Sequence, residues 1–315
     1  MRDLRIVFMG TPDFAVTILH EILEAGYKVV GVITAADKPA GRGRKLHESA
    51  VKVYAVSRGL KILQPTNLKS PEFLEDLKAL KPNLQVVVAF RMLPKAVWDL
   101  PQYGTFNLHA SLLPQYRGAA PINWAIINGE KSTGVSTFFL DEKIDTGAMI
   151  LQKSVAIGKD ETVGSLHDKL MHEGAQLVLE TLNLIKNDKA VPQKQEESKE
   201  LKEAPKLTRE NTKINWNVSI DEIFNLIRGL NPYPGAWTDL KNGIDILQVK
   251  IFEVEKLEES HDLETGTLVV ENKELKVAVK NGFLKLLEIQ MPGKRKMKTR
   301  DLLNGYQFES NTKVL

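Results

Sequence analysis

A chain of 315 residues, 43% hydrophobic and 26% charged, has ample material for one or two packed domains and reads as an ordinary globular protein. The absence of cysteine excludes disulfides, thiolate metal sites and cysteine nucleophiles, and it fits a reducing, cytoplasmic setting. A formal net charge of +3 is too small for bulk charge to drive nucleic-acid binding, so any such contact must come from local clusters.

The opening MRDLRIVFMG is not expected to be a signal peptide, because its apolar run is short and Pro12 and Asp13 follow at once. No apolar run approaches the ~20 residues of a membrane span, and no membrane partner is expected. Leu4 to Met9 reads as a buried parallel strand. Gly10-Thr11-Pro12-Asp13 turns into a helix from Phe14 to Ala25, with Gly26 as its stop. Lys28 to Thr34 is a second strand, so the chain opens as a right-handed βαβ unit. GTPDF departs from G-x-G-x-x-G and does not support a dinucleotide site.

Ala35 to Glu48 is basic and rich in glycine, and is read as a loop. Arg42, Arg44 and Lys45 are either a solvated cluster or an arm that contacts phosphates. A helix is predicted over Ser49–Arg58, a short strand over Lys61–Leu63, and a helix over Pro71–Leu80 capped by Ser70. Leu84 to Phe90 is the central buried strand, and Arg91 to Pro94 leaves its carboxyl end.

The stretch from Gly104 to Gly147 concentrates the chemistry. Thr105 to His109 is a strand, so Asn107 and His109 share one face at its carboxyl end, where open α/β sheets bind ligands. Ser111-Leu112-Leu113-Pro114 makes a stiff apolar corner, and a helix starts near Ala120 with Pro121 in its first turn. A strand over Gly134–Leu140 leads to a turn carrying Asp145-Thr146-Gly147. An Asn, a His and an Asp then meet without a Cys nucleophile. Ser111 could be nominated as a nucleophile, but the G-x-S-x-G elbow is absent. His167 and His172, five apart on a helix, do not pair for a metal, and none is expected.

Acyl transfer to an amine is the reading left. Asn107 would donate to an oxyanion, His109 would shuttle the proton, and Asp145 would hold the ring's tautomer and stabilise its charged form. A core histidine and ordinary turn residues are the bland alternatives.

Ile150–Ala156 is a strand and Val163–Ile185 a long amphipathic helix. The polar segment that follows is a linker by composition, placed at 187–207 between domains at 1–186 and 208–315. The second domain has a helix over Ile220–Leu230 and a Pro-rich turn, Asn231 to Gly235. Strands at Ile244–Glu253, Gly266–Val270, Leu275–Val279 and Phe283–Ile289 follow, a spacing that fits a small β-barrel. Basic residues bunch at Lys294, Arg295, Lys296, Lys298 and Arg300, a solvated turn or a phosphate-contacting edge.

The run Asn107-Leu108-His109-Ala110-Ser111-Leu112-Leu113-Pro114, followed by Asp145-Thr146-Gly147, resembles the tetrahydrofolate-dependent formyltransferases. The resemblance implies an α/β, Rossmann-like parallel-sheet formyltransferase domain, followed by a small oligonucleotide-fold-like β-barrel. It implies Asn107, His109 and Asp145 as catalytic residues, Ser111, Leu112, Leu113 and Pro114 as lining of the folate pocket, and 10-formyltetrahydrofolate as formyl donor.

Within the family, the chain looks most like members that act on methionyl-initiator tRNA. The likeness spans the chain, through GTPDFA, DKPAGRGRKL, YRGAAPI, APKLTRE and NPYPGAW. It implies formylation of the α-amino group of methionyl-initiator tRNA for translation initiation. Arg42, Arg44 and Lys45, the barrel, and Lys294, Arg295 and Lys296 would then bind tRNA. A sibling enzyme acting on a small amine, such as a nucleotide sugar, would keep the Asn-His-Asp trio without needing arm or barrel. No obligate protein partner is implied. The segment Ala89-Phe90-Arg91-Met92-Leu93-Pro94 departs from the family's A-Y-G-x-I-L-P, being one residue shorter and carrying Arg91 in the glycine region.

Overall fold

The computed structural model describes residues 1–40, 45–196 and 200–315. It divides into two compact units that do not follow the chain linearly. The first comprises Met1–Gly118, Thr133–Ala156 and His167–Glu203; the second comprises Ala119–Ser132, Ile157–Leu166 and Ala204–Leu315.

The first unit is built on a seven-stranded sheet. In chain order its strands are β1 (Arg5–Gly10), β2 (Lys28–Ile33), β3 (Ile62–Leu63), β4 (Leu84–Val88), β5 (Thr105–His109), β6 (Ser132–Phe139) and β7 (Met149–Ala156). In space they run β7-β6-β5-β4-β1-β2-β3, so β4 is central, and it is buried along its whole length, Gln85 included. The pairs β1–β2, β1–β4, β2–β3 and β4–β5 are parallel, whereas β5–β6 is antiparallel. The sheet therefore changes direction at β5, the strand that carries Asn107 and His109.

Helices cover both faces. Asp13–Glu24 (α1) buries Phe14, Ile18, Leu19 and Ile22. Ala50–Ser57 (α2) and Pro71–Ala79 (α3) begin where Ser49 and Ser70 accept the amides of Lys52 and Phe73, which fixes both starts. Val163–Lys186 (α4) lies over the face of β5 opposite the site. A Cβ added at Gly174 would come within 2.8 Å of Leu108, and the Thr181 and Thr137 hydroxyls bond at 2.8 Å. Asn107 and His109 point to the other face of the sheet.

The basic segment at 35–48, expected as a loop, contains a paired element: Lys38–Ala40 runs antiparallel to Lys45–His47. Its two feet are tied down. Lys52 pairs with Asp37 and with Glu48, the latter at 2.7 Å, and Gln64 donates to Asp37 and to the Ala35 carbonyl at 2.8 Å. Lys52 and Gln64 hold the Asp37 carboxyl below the usual carboxylate range.

Helix Ile220–Gly229 (α5) of the second unit starts at a capping box in which Ser219 and Glu222 satisfy each other's main-chain amides. Its buried Ile223 and Ile227 join the core of an antiparallel sheet. The strands are β8 (Ala236–Asn242), β9 (Asp245–Leu257), β10 (Leu268–Glu271), β11 (Glu274–Val279), β12 (Gly282–Gln290) and β13 (Lys313–Val314), in the spatial order β10-β11-β12-β9-β8-β13. The two ends of that order meet: Thr267 bridges Lys313, Leu268 donates to Thr312, and Val314 donates to Gly266. Register shifts around Glu253 bend the long β9, and the sheet curls into a nearly closed barrel.

Where the sequence predicts one strand at Ile244–Glu253, the structure has β9 and, before it, β8. That strand buries Ala236, Thr238 and Leu240. The inward Thr238, bonded to the Trp216 indole and the Leu315 carbonyl, hides the apolar alternation.

Candidate active site

β5 delivers Asn107 and His109 to the same face, and they meet different surroundings. His109 is buried, with only 6% of its surface exposed. Its Nε2 lies 2.8 Å from the Tyr116 carbonyl oxygen, which can only accept. Nε2 therefore carries the proton, and in the neutral ring the lone pair sits on Nδ1. Nδ1 lies 3.7 Å from Oδ2 of Asp145. The tautomer is set by Tyr116 and not, as the sequence suggested, by Asp145; the carboxylate instead faces the edge at which a second proton would arrive. Asn107 is half-buried, and among the described residues its amide has no hydrogen-bond partner. It remains available for a ligand.

Asp145 sits in the left-handed region, at φ +55°, which Asp tolerates better than most side chains. The Gly118 amide donates to Oδ2 at 3.0 Å. Gly147 closes the turn so tightly that a Cβ there would lie 1.7 Å from the Phe139 carbonyl oxygen, so only glycine fits. The tripeptide Tyr116-Arg117-Gly118 thus touches both partners, accepting from His109 at one end and donating to Asp145 at the other.

The apolar corner is held from beneath. Ser136 donates to the Ser111 carbonyl at 2.6 Å and accepts from the Leu113 amide, while Gln152 donates to the Leu113 carbonyl. Ser111 is fully buried, and its hydroxyl is spent on the Gln115 carbonyl at 2.6 Å. That geometry suits a structural serine and not a nucleophile. Leu113 is buried as well, which leaves Leu112 and Pro114 as the half-exposed side chains of the corner.

Beyond the central strand, the departing segment follows its own path. Ala89 takes φ +47°, and Arg91 folds back to donate to the carbonyls of Pro65 and Thr66. Of the expected tRNA-contacting residues, Arg42 and Arg44 lie outside the described residues, and Lys45 is described only as backbone. Lys294, Arg295 and Lys296 form an exposed turn between β12 and the short strand Met297–Lys298. Lys296 pairs with Glu288 at 2.6 Å and lies over the Phe252 ring, whereas Lys294 and Arg295 have no ion pair among the described residues. No group of His, Asp and Glu among the described residues could hold a metal ion, and none of their helices is long and apolar enough to cross a membrane.

Comparison with known proteins identifies relatives over the whole chain. Residues 4–182 match the formyl transferase family, and residues 206–307 match the formyl transferase C-terminal domain. A methionyl-tRNA formyltransferase of Flavobacterium johnsoniae is 59% identical over 314 residues, covering all of both chains. The chain belongs to the methionyl-tRNA formyltransferase family. It is an enzyme that transfers a formyl group from a folate cofactor.

Distant solved structures share the fold. An N-formyltransferase from Helicobacter canadensis, solved with folinic acid and dTDP-3-aminofucose, superposes with a TM-score of 0.64 at 20% identity, over 93% of this chain and 100% of that one. HypX from Aquifex aeolicus, solved with tetrahydrofolic acid, gives 0.65 at 17% identity, over 98% of this chain and 49% of that one. The Asn107 amide could donate to a carbonyl oxygen of such a group, and the half-exposed Leu112 and Pro114 could meet the face of a flat ring.

Sequence reasoning gave no role to the four residues that brace His109 and Asp145, two of which act through their main chain. The Tyr116 carbonyl and the Gly118 amide carry no side-chain signature. Gln195, which also reaches this corner, stands in a polar stretch where nothing marks it as buried, and Arg117 beside it is half-buried. The Arg117 guanidinium donates to Gln195 Oε1, and the Gln195 amide donates to the carbonyls of Asp145 and Gly147.

Proposed function

We propose that the chain formylates the α-amino group of methionyl-initiator tRNA, using 10-formyltetrahydrofolate, with Asn107, His109 and Asp145 as its catalytic residues. The observation that carries the chemistry is the His109 ring, anchored through Nε2 with its other nitrogen facing a carboxylate. The acceptor rests on the full-length, 59% identity to a relative named for that substrate.

The donor, when bound, supplies a formyl carbonyl and a nitrogen leaving group to the incoming amine. Attack on a carbonyl moves negative charge onto its oxygen, and the Asn107 amide is free to donate a hydrogen bond there. One such donor contributes about 3–4 kcal/mol. His109 takes a proton at Nδ1 and gives it back from the same atom, a role that contributes roughly 10²- to 10⁴-fold. Asp145 stabilises the ring while it is charged, and the bond to Tyr116 keeps it from rotating away. Leu112 and Pro114 form an apolar wall, which strengthens each of these electrostatic terms by excluding water. Lys294, Arg295 and Lys296 contact tRNA phosphates, as do Arg42, Arg44 and Lys45.

Single-turnover transfer from 10-formyltetrahydrofolate to Met-charged initiator tRNA, with a small-amine panel as competitors, tests the reading. Fast transfer to the tRNA alone supports it. Transfer to a nucleotide-linked amine, with the tRNA inert, would leave the site chemistry standing and overturn the acceptor.

A further inference from the structure

We infer that Gln195 and Arg117 form a positioning pair that sets Asp145 for its part in the reaction. The inference rests on the reading of Asp145 as a catalytic group. Gln195 lies in the segment that composition assigns to a linker, and its neighbours Lys194 and Glu196 are exposed, yet it is only 4% exposed itself. It is brought there by pairing. Gln193 and Met149 exchange both main-chain hydrogen bonds at 2.8 Å, adding the segment to the start of β7.

From that anchor the Gln195 side chain reaches beneath the catalytic turn and uses its whole hydrogen-bonding capacity. Its amide nitrogen donates to the carbonyl oxygens of Asp145 at 3.0 Å and Gly147 at 2.8 Å, one at each end of the turn. Its Oε1 accepts from Arg117 Nε at 3.2 Å and Nη2 at 2.6 Å. The guanidinium has no acceptor, so it fixes which end of the amide faces the turn. Arg117 is followed by Gly118, whose amide holds the Asp145 carboxylate. The same dipeptide therefore grips Asp145 twice, once at the side chain and once through Gln195 at the main chain. A left-handed aspartate whose carbonyl is held in this way cannot relax without losing buried hydrogen bonds.

The test is a double-mutant cycle. Gln195→Met keeps the volume and removes every hydrogen bond. It is expected to lower kcat roughly 10- to 100-fold, because small misplacements of a catalytic group are costly. The KM for tRNA should stay within about threefold, since the lost interaction bears on the reaction and not on binding.

In an Asp145→Asn background the same change should cost less than about threefold, because residues acting through one another are not additive. An equal loss in both backgrounds, or no loss in the first, overturns the inference. Full activity of Asp145→Asn alone would instead overturn the reading of Asp145. Should Gln195→Met fail to fold, Arg117→Met, which frees the other end of the amide, decides the matter in the same two backgrounds by the same criterion.

Discussion

The corner around Asp145 and the turn at Lys294–Lys296 both present charge, and they hold it in opposite ways. At the corner, three charged or polar groups are tied to main-chain oxygens and amides: His109 to Tyr116, Asp145 to Gly118, Gln195 to the two ends of the turn. At the turn, Lys294 and Arg295 stand exposed on a short connection, and Lys296 shares one surface carboxylate. Hydrogen bonds to fixed backbone groups define direction to within a narrow cone and are little affected by salt. Exposed charges define almost no direction but act over the Debye length, about 10 Å at 0.1 M salt. The corner is built for geometry and the turn for attraction.

The largest effects should follow from breaking the geometry. His109→Asn removes the proton carrier and should lower kcat by roughly 10²- to 10⁴-fold in single-turnover formylation. Asn107→Ala should cost about 10²- to 10³-fold in kcat with little change in tRNA affinity; a comparable loss of affinity would make it a binding residue.

Lys294→Ala with Arg295→Ala should act on the other side of the contrast. It should weaken tRNA binding and flatten the plot of log affinity against log salt by about one unit per lost phosphate contact, leaving the rate at saturating tRNA unchanged. A changed saturating rate would erase the division of labour between the two regions.

The smallest effect is expected at the foot of the basic arm. Lys52 and Gln64 hold the Asp37 carboxyl below its ordinary range, so the stability this pairing adds is present above the ordinary carboxylate pKa. It is lost as pH falls through the depressed value. Asp37→Asn should therefore lower the melting temperature slightly near neutral pH, and the two proteins should converge in acid. A difference that persists undiminished in acid would mean that the pairing is not the cause.

What could be read in advance divides along the same line. The strand Thr105–His109, its paired side chains and the tight Asp145–Gly147 turn are written in side-chain order, and the structure contains them. The central place of Leu84–Val88 is equally legible, because a strand buried on both faces is mostly apolar and only Gln85 interrupts this one. The tautomer of His109 was not legible, since it depends on a carbonyl seven residues on that every residue possesses. Gln195 was hidden for a related reason: a buried amide satisfied by main chain looks, in composition, like any glutamine in a polar stretch. The strand Ala236–Asn242 escaped because an inward threonine interrupts its pattern, and the pairing of Lys38–Ala40 with Lys45–His47 escaped because proline and glycine read as loop.

One further consequence lies in how the chain is shared between its compact units. It leaves the first unit directly after the tripeptide that braces His109 and Asp145, contributes residues 119–132 to the second, and lends residues 157–166 to the second as well. Those loans are bonded in place: the Asn123 amide donates to the Gly229 carbonyl, and buried Arg228 donates to the carbonyl of Glu161. No single cut yields two whole parts, since a fragment ending near residue 203 carries away two pieces that belong to the second unit. In this chain the second compact unit is thus not one continuous segment. Exchanging the barrel in this chain would therefore mean replacing residues 119–132 and 157–166 together with 204–315.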